Sequence, residues 1–248
     1  MVDVFLAEIA HADFAWVVLG ALLAGVVRGL TGFGAAMILV PILSAVLGPA
    51  IAIPALTAVD ALTTAPLLVD AVKRCRWREV LPLAAAATLA LPLGVSILIH
   101  VDPETLRTGI SCAILVLVAV IGSGWRYSKA PSLPLTAAVG AASGLMGGAT
   151  GMSGPPVILF WLGGQNEAVL VRANINVFFG LMAVTSMIAF WIGGLYDLRV
   201  IVITLAMAPI YGGAVWLGAR GFRHASDTGY RRFALALITA IAVTSLMI

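Results

Sequence analysis

The chain has 248 residues, of which 62% are hydrophobic and 10% charged, and its mean hydropathy is +1.11. A soluble domain carries about 25% charged residues, so the composition excludes one and points to an integral membrane protein. The net charge of +3 comes from Lys and Arg in short loops beside apolar spans, a pattern that reports topology rather than nucleic-acid binding.

The spans read as helices, because the ten-residue alternating segments of a membrane β-barrel do not occur. The N-terminal tail holds Asp3, Glu8 and Asp13 and has no basic residue before Arg28, so it lacks the n-region of a cleavable signal and reads as mature chain. Residues 14–27 and 35–47 form two short apolar pieces of about 20 Å each around a Gly-rich break, a broken helix over 14–47. A full span over about 50–72 follows, carrying Pro54, Asp60 and Pro66, and then a basic cluster from Lys73 to Glu79. The next spans are 80–99 and 104–122, the second started by Asp102 as N-cap and Pro103 in the first turn. Residues 125–132 read as a linker. Beyond it come a second broken helix, 133–162, and spans over about 168–192, 198–217 and 233–248, with Asp197 as N-cap of the middle one.

The two broken helices share a motif. A shift of 119 residues lays Gly25, Gly29, Thr31 and Gly32 on Gly144, Gly148, Thr150 and Gly151, and Ile38-Leu39-Val40 on Val157-Ile158-Leu159. The chain is therefore expected to hold two related repeats, 1–124 and 133–248. Loop charge decides the threading. If the second broken segment enters and leaves on one side, eleven basic residues share a face and only Arg107 and Arg199 lie on the other. An ordinary crossing leaves no preference. Loop charge leaves the first segment open between a bent crossing and a hairpin, and its likeness to the second copy and the acidic tail favour the hairpin. The expected architecture is all-α, two inverted repeats, each a broken or re-entrant hairpin plus three spans, with both termini outside. Discontinuous helices in inverted repeats are a design of secondary transporters.

A helix that starts within the membrane presents unpaired N–H groups and the positive end of its dipole to a small anion. The starts are Gly32, Phe33, Gly34, Ala35 and Ala36 in the first copy, and Gly151, Met152, Ser153, Gly154 and Pro155 in the second. Thr31, Thr150 and Ser153 add hydroxyls. Pro155 and Pro156 supply no N–H, so the first break offers more donors and the second is stiffer. The competing reading is that the glycines, spaced as Gly25, Gly29 and as Gly140, Gly144, Gly148, serve helix packing alone. A nucleotide loop is a weak alternative without Gly-Lys-Ser/Thr.

Ionisable groups within spans are functional candidates. Arg28 is a candidate anion ligand, and Asp60 either its ion-pair partner or the carrier of a coupling proton. Asn174 and Asn176 point to different faces, so at most one reaches the site; Asn174 is carried as the candidate, with interhelical bonding the commoner use. His11, His100 and His224 lie in tails or at helix ends. Trp16, Trp77, Trp125 and Trp191 lie near span ends as interface anchors. Cys75 and Cys112 give no bridge framework and no metal spacing.

Gly29-Leu-Thr-Gly-Phe-Gly-Ala-Ala-Met-Ile-Leu-Val-Pro41 and Gly144-Leu-Met-Gly-Gly-Ala-Thr-Gly-Met-Ser-Gly-Pro-Pro-Val-Ile-Leu159 resemble the paired Gly-rich motifs of the sulfite exporter TauE/SafE permeases, over nearly the whole chain. The resemblance implies a prokaryotic cytoplasmic-membrane permease for small inorganic or organosulfur anions such as sulfite or organosulfonates, driven by an ion gradient of protons or sodium. It departs from the family's run of three glycines at Ala35-Ala36 and Pro155-Pro156. The partners expected are the anion, the coupling ion, the lipid bilayer and a second copy of the chain, with no nucleic acid, no metal and no cofactor. A passive anion channel and a structural membrane subunit are the alternatives. An intramembrane enzyme is disfavoured, because no Ser-His, His-Glu-X-X-His or paired-carboxylate arrangement falls in the spans.

Overall fold

The computed structural model describes residues 14–102, 105, 132–164 and 166–222. These hold eight helices and no strand: α1 (Phe14–Thr31), α2 (Ala35–Leu47), α3 (Pro49–Arg74), α4 (Trp77–His100), α5 (Leu133–Thr150), α6 (Gly154–Leu162), α7 (Ala168–Ile192) and α8 (Leu198–Phe222). The protein is an all-α integral membrane protein. α3, α4, α7 and α8 are each long and apolar enough to cross a membrane. Their outer faces leave large apolar side chains uncovered, among them Leu89, Leu93, Trp191 and Leu205. In water such a surface would associate; against lipid it is solvated. Pro54 and Pro66 in α3, Pro82 and Pro92 in α4, and Pro209 in α8 lie inside these helices, as intramembrane packing tolerates.

The predicted spans over 50–72, 80–99 and 168–192 correspond to α3, α4 and α7, and α8 continues five residues past the predicted 217. Asp197 accepts the Val200 N–H at 2.8 Å and Asp102 that of Thr105 at 2.9 Å, as N-caps do. The span expected over 233–248, and nearly all of the 104–122 span and of the 125–132 linker, lie outside the described residues.

The broken helices need one correction. The first piece of each was expected to be about 20 Å long and to end at Val27 and Leu145, ahead of Gly29 and Gly148. Instead α1 and α5 contain 18 residues each, about 27 Å, and run through Gly25, Gly29, Gly140, Gly144 and Gly148 as unbroken helix. The reason is packing. Along the α1–α8 seam Gly25 rests on the Tyr211 carbonyl and Gly29 on the Val215 carbonyl; along the α5–α4 seam Gly144 rests on the Ala87 carbonyl and Gly148 on the Leu91 carbonyl. A methyl group added at Gly29 would lie 2.7 Å from the Ala219 nitrogen, and one at Gly148 would lie 2.7 Å from the Val95 nitrogen. From the opposite side Gly218 faces Val26 and Leu30, and Gly94 faces Leu145 and Ala149. Both pairs of helices run parallel, in matching register.

Those seams fix the helix directions. Asn174, near the start of α7, bonds Arg76 and Glu79 at the start of α4, while Gly193 after α7 approaches Ile99 and Val95 near the end of α4. Tyr196 reaches the Pro54 carbonyl near the start of α3, so α3 and α7 are antiparallel. α1 runs toward the Arg76 end, where Arg172 holds the Gly29 carbonyl, and α2 returns; α5 runs the opposite way, and α6 returns. The result is two helical hairpins inserted from opposite ends. Lys73, Arg74, Arg76, Arg78, Arg172 and Arg220 gather at one end and Arg199 lies at the other.

Candidate functional site

At the first tip the backbone turns through Gly32 (φ 85) and Gly34 (φ 93), and at the second through Gly151 (φ 70). These left-handed angles favour residues without a Cβ. The Thr31 hydroxyl donates to the Val27 carbonyl and accepts from the Phe33 N–H; the Thr150 hydroxyl donates to the Met146 carbonyl and accepts from the Met152 N–H. Under the 119-residue shift these are the same bonds. The two threonines therefore hold the tips and do not line the cavity between them.

Both tips border one central cavity of about 70 Å³, lined by Phe33 to Met37 from the first and Gly151 to Gly154 from the second, with Ile53, Thr57, Asp60, Gly147, Phe179 and Ser186 around them. Gly34, at the start of α2, and Ser153, at the start of α6, make no side-chain cap. The first N–H groups of a helix have no partner within it. Those of Ala35, Ala36 and Met37 thus belong to cavity-lining residues that no side chain caps, whereas two of the first three residues of α6 are prolines.

The charge of the site is an ion pair between the first hairpin and α3. Arg28 is 3% exposed, and its guanidinium is fully engaged. Nε and Nη2 donate to the Asp60 carboxylate at 2.9 to 3.2 Å, and Nη1 donates to the Gly32 carbonyl and to Asn176 Oδ1. The Phe179 ring lies 5.2 Å from the guanidinium carbon, close enough for a cation–π contact. Tyr211, fully buried, donates its hydroxyl to Asp60 Oδ1 at 2.7 Å. Four helices thus meet at one ion pair: α1, α3, α7 and α8.

Of the residues expected at the site, Arg28, Asp60, Phe33, Gly34, Ala35, Gly151, Met152, Ser153 and Gly154 line the cavity together. Thr31, Gly32 and Thr150 shape the tips. Asn174 is elsewhere: its Oδ1 accepts the Arg76 N–H at 2.8 Å, and its Nδ2 donates to Glu79 at 3.0 Å. Asn176 is the one that reaches Arg28. Helical phase could have signalled this, since Arg172, Asn176 and Phe179 share a face and Asn174 does not. Tyr211 was missed too; a tyrosine mid-span is a signal in itself, because its hydroxyl needs a buried partner. Among the described residues no group of His, Cys, Asp and Glu could hold a metal.

No curated protein and no solved structure matches the chain. The family described as Sulfite exporter TauE/SafE matches over residues 17–245, nearly the full length, and that stretch contains both tips and the Arg28–Asp60 pair. The chain belongs to the sulfite exporter TauE/SafE family and is a multi-pass membrane transporter.

Proposed function

We propose that the protein is a secondary carrier of small sulfur-containing oxyanions, sulfite or short organosulfonates, which it moves by alternating access around the cavity between the two tips. The observation that carries this reading is a buried guanidinium and the uncapped start of α2 at one cavity. A guanidinium fork matches the planar pair of oxygens that a sulfonate offers, and helix N–H groups complete the anion's shell.

Cavity size supports a small cargo. At about 10–15 Å³ of such volume per water, 70 Å³ has room for sulfite or methanesulfonate and is too small for a long-chain sulfonate. Phe33, Met37, Met152 and Phe179 add polarisable apolar walls. Two hairpins inserted from opposite ends, in matching seams, suit inverted repeats that rock about a fixed site. We place the basic end in the cytoplasm of a prokaryote and the protein in its inner membrane, with both termini outside.

The test is calorimetric binding of sulfite, thiosulfate, methanesulfonate, longer alkanesulfonates and acetate to the purified full-length protein. Affinity should fall as the alkyl chain grows. The charge-balanced double variant Arg28→Gln/Asp60→Asn should bind the preferred anion about ten- to a hundredfold more weakly, the equivalent of one charge-assisted hydrogen bond. Unchanged binding by that variant would remove the site, and acetate preferred over every sulfur oxyanion would remove the substrate class.

A further inference from the structure

Resting on the anion-carrier reading above, we propose that each anion travels with one proton, which Asp60 takes up when it surrenders Arg28 to the anion. Arg28 is the only cationic side chain lining the cavity among the described residues. Its Nη1 is committed to the Gly32 carbonyl and Asn176, and the edge formed by Nε and Nη2 is held by Asp60. That edge is the one a sulfonate would take through two oxygens. An ionised Asp60 and the anion therefore compete for the same two N–H groups.

Charge decides the outcome. The empty site is neutral, with Arg28 positive and Asp60 negative. An anion that displaced an ionised carboxylate would leave two negative charges on one positive charge in a low-dielectric cavity, which is costly. If Asp60 gains a proton as the monoanion binds, the loaded site is neutral too. The step makes and breaks no bond except the O–H on Asp60; the proton comes from cavity water and returns to it when the anion leaves. Asp60 can exchange protons there, since its side chain is 22% exposed and borders the cavity.

The surroundings select a proton over sodium. Asp60 faces Arg28 from α1 and the Tyr211 hydroxyl from α8. From α7 Asn176 and Phe179 approach the pair and do not ionise, while Arg172 on the same face bonds the Gly29 carbonyl and stays charged. α2 has no titratable residue, and those of α4 lie at its ends. Both carboxylate oxygens are met by donors, one of them cationic. A sodium ion would need several oxygens and would sit beside the guanidinium, whereas a proton needs only the carboxylate. The Tyr211 hydroxyl can go on donating to the protonated acid.

Titration calorimetry in two buffers of different ionisation enthalpy counts the protons. Methanesulfonate, a monoanion throughout the range near neutral pH, is the probe for the proton count; thiosulfate, a dianion of constant charge, tests binding alone, and sulfite is run with its own protonation subtracted. Methanesulfonate binding should take up about one proton per anion, and affinity should fall about tenfold per unit rise in pH where the empty site is ionised. Asp60→Asn should bind with no proton uptake and a flat pH profile. Binding to the wild type without proton uptake, or affinity that follows sodium rather than pH, would overturn the proposal and leave the carrier reading standing. Failure of all three anions to bind would instead remove the carrier reading.

Discussion

The two tips share a frame and differ in chemistry. In each, a threonine closes the turn with the same pair of bonds, and the preceding helix lies against a parallel partner through glycines in matching register. The charged positions are not shared. Under the 119-residue shift Arg28 falls on Gly147, Asp60 on Phe179 and Asn176 on Thr57, and all of these but Asn176 line the cavity. At the second tip the glycine leaves room for the Ser153 side chain, whose hydroxyl a Cβ at Gly147 would strike. Each tip is tied down differently as well: Arg28 holds the Gly32 carbonyl, and the Ser143 hydroxyl holds the Ser153 carbonyl. Backbone contacts tolerate few alternatives and stay alike. A single buried ion pair is enough for one site, so the second copy is free to be neutral.

The seams carry the largest predicted effect. Gly29→Ala and Gly148→Ala should each force a helix pair apart and cost about 1–3 kcal/mol, the range for overpacking a core, with leucine at either place preventing assembly. Thermal denaturation in detergent, followed by size-exclusion chromatography, reads both. Equal losses would support equivalent seams, and a loss at only one of them would break the equivalence.

A smaller effect should separate the tips. Ala36→Pro removes an N–H from the start of α2 and gives it the proline that α6 already has; anion affinity should fall about tenfold, one charge-assisted hydrogen bond. Pro155→Ala should leave affinity unchanged and lower stability by about 0.4–1 kcal/mol through the unfolded chain. Binding isotherms for the two variants check the contrast. The closing threonines should show an effect of stability alone. Thr31→Val and Thr150→Val should each cost about 1 kcal/mol, and similarly, as measured by denaturation midpoint.

Much of this arrangement was legible in the chain. The likeness of the two tips showed as recurring glycines and threonines because backbone constraints restrict residue choice. The starts of α2 and α6 showed because Gly34 and Pro155 are helix-start signals, and Arg28 with Asp60 stood out against apolar spans. The role of each glycine was not legible. Gly29 and Gly32 are three residues apart in one run, and only the neighbour brought by α8 makes the first a contact point and leaves the second a turn. Helical phase separates Asn176 from Asn174 and a mid-span tyrosine stands out, but that Asn176 and Tyr211 meet at one ion pair depends on how distant helices pack.

The crossed seams also bear on how the protein is made. α5 meets its partner α4 as soon as it emerges, since α4 is already in place. α1 is made first, and its glycine face waits for α8, the last described helix. Long-range contacts of this kind form late, and synthesis proceeds from the N-terminus. The hairpin that carries Arg28 is therefore locked only after α8 has been made, and a chain that stops before α8 lacks the support for its one charged tip.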